Sequence, residues 1–127
     1  MKLGYTILYV DNVQRSLDFY AKAFGLAIKF LHDSGGYGEL DTGSTTLSFS
    51  SRQLMTELKK NPQPADHKAP CFEIALTTHD VPAAVTRAVA AGALLVQEAH
   101  EMPWGQTVAY VADLDGFLVE ICTPMGG

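Results

Sequence analysis

The feature of this 127-residue sequence that most restricts its fold is an internal repeat. Residues 4–23 align with residues 72–91, with apolar, small and polar residues at matching positions. A one-residue gap then brings Gly25 into line with Gly92. Self-similarity at a fixed offset indicates that one supersecondary unit occurs twice and that the copies stabilise each other. The sequence therefore predicts two tandem copies of a small module.

Each half has the same predicted order of elements, namely one strand, one helix and three further strands. Asn12 and Asp80 precede apolar residues at helical spacing, as N-cap residues do. Gly25 and Gly92 follow the last periodic residue, as glycines that end helices do. The predicted strands cover residues 3–10, 27–32, 37–42, 45–50, 71–77, 93–97, 106–112 and 117–122. The phenylalanines assigned to the core are Phe19, Phe24, Phe30 and Phe49.

The sequence predicts a single domain, residues 1–127, with the two modules at about 1–51 and 70–127. Residues 52–69 form the predicted linker between them. Leu54 and Met55 indicate a short amphipathic helix at its start, whereas the prolines that follow favour an extended loop.

Composition and charge narrow the classes of partner. The net charge is −5, and no cluster of basic residues occurs beyond Lys59 and Lys60, which argues against nucleic acid and anionic membranes. The chain has neither an apolar run long enough to span a membrane nor a signal-peptide pattern, so we expect a cytoplasmic protein. Cys71 and Cys122 lie in apolar runs and are expected to be buried free thiols.

Two segments carry a resemblance to a known family, VDNVQRSLDFYAKAFGL in the first half and WGQTVAYVADLDGFLVEICTP in the second. They resemble the glyoxalase/bleomycin-resistance/dioxygenase superfamily, also called the vicinal-oxygen-chelate superfamily. The resemblance implies an α+β fold, with two βαβββ modules forming a U-shaped, eight-stranded mixed sheet around a cleft. It also implies a homodimer. This scaffold supports isomerases, dioxygenases, thiol transferases and non-catalytic drug-binding proteins, so it does not by itself assign an activity.

In metal-using members of that superfamily, the ligands come from the first and last strand of each module. The four corresponding positions here hold Tyr5, Ser48, Glu73 and Glu120, and only Glu120 matches cleanly. None of the histidines falls on an inward strand position, and His100 is expected in the loop before Trp104. We therefore predict that the glyoxalase-type metal site is lost and that no cofactor binds. A divalent metal held by Glu73 and Glu120 is the alternative.

Carboxylates and aromatic rings together make up the predicted ligand site. Glu73 and Glu120 alternate with apolar neighbours, which places them on the strand face away from the core. That face is solvent on a generic strand, whereas the resemblance implies that it lines the cleft. Tyr37 and Trp104, matched by the repeat, either line this site or pack between modules or across a dimer interface. The predicted ligand-binding residues are Tyr5, Tyr37, Ser48, Glu73, Trp104, Tyr110 and Glu120.

Three functions are compatible with these residues. The favoured one, similar to that of bleomycin-resistance proteins, is metal-independent binding of a small ligand, with a cationic aromatic molecule as the favoured class. Antibiotic resistance is the role that this implies. The alternative is a divergent lyase, isomerase or dioxygenase that uses Glu73 and Glu120 with a divalent metal or as an acid/base pair. The third is a structural or regulatory dimer without a physiological ligand.

Overall fold

The computed structural model describes residues 1–126, which contain eight strands and three helices. The strands form two four-stranded mixed sheets, one in each half of the chain. The chain divides into two compact units, Met1–Pro64 and a second that begins at Ala65. This division falls inside the predicted linker, residues 52–69. The two tandem modules predicted from the repeat and the α+β class that the resemblance implies are therefore confirmed.

The first unit has one sheet with a helix packed on one side. Its elements are β1 (Tyr5–Val10), α1 (Val13–Phe24), β2 (Ala27–Leu31), β3 (Tyr37–Asp41), β4 (Thr46–Ser51) and α2 (Arg52–Glu57). The strand order is β1-β4-β3-β2, with β1 parallel to β4 and the other pairs antiparallel. The Asn12 side chain accepts a hydrogen bond from the Arg15 backbone N–H at 3.0 Å, and Gly25 ends α1 with a φ of 70°. The predicted cap and stop of this helix are thus confirmed.

Apolar residues of α1 and of the sheet make up the core of the first unit. Tyr20 of α1 is fully buried against Phe49 of β4, with 5.1 Å between the ring centroids. The neighbouring strand β3 contributes Gly38 beneath the helix, where an added Cβ atom would lie 2.7 Å from Leu17 Cδ1 and 3.0 Å from Val13 Cγ1. Since no side chain fits in that space, glycine at this position allows α1 to approach the sheet.

The second unit repeats this arrangement. Its elements are β5 (Ile74–Thr77), α3 (Val81–Ala90), β6 (Leu94–Glu101), β7 (Thr107–Ala112) and β8 (Leu118–Cys122), with the strand order β5-β8-β7-β6. Asp80 caps α3 by accepting a hydrogen bond from the Ala83 backbone N–H at 3.1 Å. Ala91 ends the helix in a right-handed conformation, and Gly92, with a φ of 117°, follows it. No helix within residues 1–126 is long and apolar enough to cross a membrane.

Two side chains predicted to be buried are exposed. Phe30, assigned to the core, has 45% of its surface exposed. The reason is that Phe30 pairs with Glu39 of β3, which places it on the sheet face opposite α1. Cys71 is also exposed because it precedes β5 instead of lying within it. Both cysteines are free thiols, as predicted, and Cys122 is buried.

Strand β6 is longer than the sequence predicted. This strand extends to Glu101, so His100 lies within a strand and not in the predicted loop. Two irregularities in its pairing with β7, between Leu95 and Gln97 and between Gln97 and His100, allow the longer strand to follow its partner. Such bulges interrupt the alternation of side chains, which is why the sequence pattern predicted a shorter strand.

Candidate functional site

Each sheet has one face covered by a helix and an opposite face, which we call its open face. Strand alternation assigns side chains to these faces, and residues paired across neighbouring strands share a face. In the second unit Tyr110 of β7 pairs with Glu120 of β8, and Cys122 lies two residues further along β8 on the same side. Their neighbours Val119 and Ile121 are buried on the other side, against α3. The open face of the second unit is therefore polar at its centre.

Four side chains of the second unit form what we call the acidic cluster, Glu73, Tyr110, Glu120 and Cys122. The Tyr110 hydroxyl donates a hydrogen bond to Glu120 Oε1 at 2.8 Å. The Glu73 carboxyl group interacts with both Glu120 and Tyr110. Glu73 immediately precedes β5, whose residue Ala75 pairs with Glu120. The structure thus brings three of the predicted site residues together and adds Cys122 to them.

Burial and like charge govern the protonation of the acidic cluster. Desolvation raises the pKa of Glu73, and repulsion by the Glu120 carboxylate raises it further, whereas the Tyr110 hydroxyl lowers it. Desolvation and the hydrogen bond to Glu120 raise the pKa of Tyr110 well above its usual value. Desolvation and then Glu120 raise the pKa of Cys122 to about 11. Tyr110 and Cys122 are therefore protonated at neutral pH, and Cys122 is not a thiolate nucleophile.

The raised pKa of Glu73 leads to a stability prediction for Glu73→Gln. In the folded state Glu73 keeps its proton at pH values at which the unfolded chain has lost it, so stability falls as pH rises from the ordinary glutamate pKa through the folded one. We expect the variant to be more stable than the wild type at neutral pH, by about 1 kcal/mol or less because Glu73 is exposed overall and solvent screens the repulsion. The difference should vanish at pH values below the ordinary glutamate pKa. Urea unfolding across this pH range measures it, and a difference that does not change with pH would contradict the prediction.

Two further polar side chains reach the open face of the second unit from β6. Gln97 pairs with Tyr110, and His100 pairs with Val108, so both share the face of the acidic cluster. The prediction that no histidine lies on this face is therefore wrong for His100, because β6 is longer than the sequence pattern indicated. The His100 ring nitrogen Nδ1 lies 3.2 Å from the Glu98 carbonyl oxygen. Gln97 was not predicted to belong to the site, because its placement depends on the bulged register between β6 and β7. The strand pattern alone gives no signal for that register.

The open face of the first unit has a different polar group at its centre. The Tyr37 hydroxyl donates a hydrogen bond to Glu39 Oε2 at 2.7 Å, and Glu39 pairs with Ser48 of β4. Burial raises the pKa of Tyr37, the Ser48 hydroxyl acts in the opposite direction, and Glu39 adds to the rise. Tyr5 pairs with Thr46 at the start of β1 and is largely exposed. Among the predicted site residues of this unit, Tyr37 and Ser48 lie close together, with Tyr5 on a neighbouring strand.

The chemistry of the donors at the four aligned positions does not fit a tightly held divalent metal. Ser48 and Glu120 occupy equivalent positions in the two units. Ser48 pairs with Ile7 and Glu120 pairs with Ala75, and the repeat aligns Ile7 with Ala75. At these positions the first unit supplies only a phenol and a neutral hydroxyl, and none of the four residues is a histidine. Within residues 1–126 no group of three or more His, Cys, Asp or Glu side chains is arranged to hold a metal ion.

Trp104 lies in the hairpin between β6 and β7, with 60% of its surface exposed. Its indole N–H donates a hydrogen bond to Gln106 Oε1 at 2.9 Å. The repeat alignment matched Trp104 with Tyr37, and this match is wrong. Cross-strand pairing makes Tyr110 the counterpart of Glu39, because these residues pair with the equivalent positions Glu120 and Ser48. Trp104 therefore belongs to a turn, whereas Tyr37 belongs to a strand.

Comparisons with known proteins agree with this architecture. A family model described as Glyoxalase/Bleomycin resistance protein/Dioxygenase superfamily matches residues 2–121. A lactoylglutathione lyase of Neisseria meningitidis serogroup A is 31% identical over 137 aligned positions, covering 100% of this chain and 94% of that protein. The crystal structure of a glyoxalase-related enzyme from Fulvimarina pelagi has a TM-score of 0.84 at 23% identity, covering 98% of this chain and 88% of that one. A glyoxalase/bleomycin resistance protein/dioxygenase family enzyme from Burkholderia phytofirmans PsJN has a TM-score of 0.81 at 19% identity, covering 97% and 98% of the two chains.

Proposed function

The chain belongs to the glyoxalase/bleomycin resistance protein/dioxygenase superfamily, and from that premise we propose that it binds a small aromatic cation without a metal. The observation that carries this proposal is the close approach of two carboxyl groups, those of Glu73 and Glu120, on the open face of the second unit. Each is a site of negative charge, and the pKa of Glu73 is raised partly because the two repel each other. A bound cation relieves that repulsion and favours the ionised form of Glu73.

The aromatic side chains of the site favour the binding of a planar ligand rather than a compact one. Tyr110 belongs to the acidic cluster, and Trp104 exposes its ring in the same unit. Aromatic faces attract cations and stack on flat rings, with contributions of about 0.5–1 kcal/mol at exposed sites. The net charge of −5 acts in the same direction, because it attracts cations at long range. On the open face of the first unit, the proposed ligand contacts are Tyr5 and Tyr37, whereas Ser48, also predicted from the sequence to contact the ligand, has none of its surface exposed.

Metal analysis and a matched pair of dyes test the proposal. Elemental analysis of protein purified without chelators is expected to find no stoichiometric metal. Proflavine, a flat aromatic cation, is expected to bind more tightly than acridine, which has the same ring system and is neutral at neutral pH. Stoichiometric metal that is lost in Glu73→Gln and Glu120→Gln would contradict the proposal. Equal affinity for the two dyes would contradict the cationic part of it.

A lyase activity is the second candidate, and it rests on the relatives named lactoylglutathione lyase, two of which are 31% identical over the whole chain. In this alternative Glu73 and Glu120 hold a divalent metal or act as an acid/base pair. Formation of lactoylglutathione by the purified protein, with and without added divalent metal, distinguishes the candidates. Turnover that Glu120→Gln abolishes would favour the lyase.

The quaternary structure and the biological role also belong to the proposal. We expect a homodimer, as the family resemblance implies, and sedimentation velocity measures it. A cytoplasmic location and a role in antibiotic resistance stay predictions. Bleomycin is the antibiotic to test first, since the family name refers to resistance to it.

A further inference from the structure

We propose that Gln106 is a positioning residue that fixes the orientation of the Trp104 indole. Trp104 is the single tryptophan of the chain, and it lies on the hairpin between β6 and β7 with most of its surface exposed. An exposed side chain on a hairpin ordinarily samples several rotamers. Here a hydrogen-bonded connection joins the ring to the backbone beyond the hairpin. The consequence for ligand binding rests on the proposed function, whereas the orientation of the ring does not.

The connection runs through both ends of the Gln106 amide. Its Oε1 accepts a hydrogen bond from the Trp104 indole N–H at 2.9 Å, and its Nε2 donates to the Thr123 carbonyl oxygen at 2.7 Å. The Trp104 indole N–H can only donate a hydrogen bond, and the Thr123 carbonyl can only accept one. If the Gln106 amide were flipped, its NH2 group would face the indole N–H and its oxygen would face the carbonyl, and both hydrogen bonds would be lost. One amide orientation therefore satisfies both neighbours. The hydrogen bonds fix the Gln106 amide and, through it, the indole.

The far end of this connection is anchored to regular structure. The Thr123 backbone N–H donates to the Thr107 carbonyl at 3.0 Å, and the Thr107 backbone N–H donates to the Thr123 hydroxyl at 3.0 Å. These two bonds join the residue after β8 to the first residue of β7. The hairpin itself is closed by the Met102 N–H, which donates to the Gln106 carbonyl at 2.7 Å. Gln106 thus joins a rigid strand pair to an exposed ring.

This geometry also restricts how a ligand meets Trp104. The indole has one hydrogen-bond donor, and Gln106 already uses it. A ligand therefore contacts the faces of the ring by stacking, and not its N–H by hydrogen bonding. A ring held in one orientation loses less conformational entropy when a ligand stacks on it. We expect loss of the Gln106 hydrogen bond to weaken stacking by about fivefold, the equilibrium factor of one ordinary hydrogen bond.

Fluorescence of the single tryptophan tests the positioning role in two matched variants. Gln106→Met keeps the length of the side chain and removes both hydrogen bonds. Thr123→Val removes the hydroxyl that bonds to the Thr107 N–H and keeps the Thr123 carbonyl that Gln106 uses. We expect Gln106→Met to lower the anisotropy of Trp104 emission and Thr123→Val to leave it at the wild-type value. A wild-type anisotropy in Gln106→Met would overturn the proposal.

Hydrogen exchange in the wild type provides a test that does not depend on the folding of a variant. The indole N–H of Trp104 gives a single resonance in a spectrum of 15N-labelled protein, because the chain has no other tryptophan. We expect slow exchange with solvent in spite of the exposed ring, since the proton is hydrogen-bonded. Exchange as fast as that of a free indole would overturn the positioning role.

Proflavine titration separates the positioning role from the proposed function. If proflavine binds the wild type, we expect about fivefold weaker binding to Gln106→Met and unchanged binding to Thr123→Val. Equal affinity for the wild type and Gln106→Met, with a mobile ring in the variant, would overturn the effect on ligand affinity. A wild type that binds no proflavine contradicts the proposed function, while anisotropy and hydrogen exchange still decide the positioning role.

Discussion

Replacement of Phe49 by Ala is expected to lower the free energy of unfolding by about 3–5 kcal/mol. Phe49 has none of its surface exposed, and its ring packs against Tyr20 of α1 at 5.1 Å. On β4 it pairs with Leu8 of β1 and with Gly38 of β3, and Gly38 has no side chain that could fill the cavity. A small domain is stable by only about 5–15 kcal/mol. The variant should therefore lose a large part of the stability of the protein.

Phe30→Ala is the matched control, because it makes the same chemical change on the open face of the same sheet. Phe30 has 45% of its surface exposed, and its nearest aromatic neighbours lie more than 6 Å away between ring centroids. We expect a loss of about 1 kcal/mol or less from this variant. Urea unfolding curves with equal slopes give both values. Similar losses in the two variants would contradict the placement of the core on the α1 side of the sheet.

The contrast between Phe49 and Phe30 shows how far the sequence predicts this fold. Strands, helices and their order follow from local features, such as the caps at Asn12 and Asp80 and the glycines after each helix. Burial of Phe49 also follows, because it alternates with small polar residues on its strand. The exposure of Phe30 depends on the bulge that shifts β2 against β3. A shift of one residue reverses the face of a side chain, and the sequence around Phe30 does not specify it.

Glycines account for the wrong match between Tyr37 and Trp104. The alignment superposed Gly38 on Gly105, and the two have different physical roles. Gly38 leaves room for α1, since a Cβ atom there would contact Leu17. Gly105 has a φ of 92° in open space, so it serves the turn. The counterpart of Gly38 is Ala109, a second small buried residue that pairs with the central strand of its sheet.

The sequence predicted some residues of the candidate site but not the contacts between them. Alternation placed Glu73 and Glu120 on the face away from the core, and the structure groups them with Tyr110. The contribution of Cys122 was missed, because an apolar run predicts a buried thiol without predicting its neighbours. Contacts across strands depend on register, which local sequence patterns do not encode. The face on which Glu73 and Glu120 lie was therefore predictable from strand alternation, whereas the hydrogen-bonded pairs on that face were not.

Glu120→Gln is expected to weaken proflavine binding by about ten- to a hundredfold. Glu120 is half-buried and accepts a hydrogen bond from Tyr110, which holds its carboxylate in one place. A hydrogen bond or close contact that involves a charged group contributes about 1.5–3 kcal/mol, and that range sets the expected loss. Glutamine keeps an acceptor for the Tyr110 hydroxyl, so the local fold should be preserved. Fluorescence titration of both proteins at physiological ionic strength measures the effect.

Asp18→Asn on the exposed side of α1 is the charge-matched control for Glu120→Gln. It changes the net charge by the same amount, and salt screens its long-range effect, so we expect less than about a twofold change in affinity. Acridine, which is neutral, should bind Glu120→Gln as well as it binds the wild type. If Asp18→Asn weakened proflavine as much as Glu120→Gln does, the dye would be responding to net charge alone. If Glu120→Gln weakened both dyes equally, the residue would act through the shape of the site. Only a loss confined to Glu120→Gln and to the cationic dye assigns Glu120 as the group that recognises the charge.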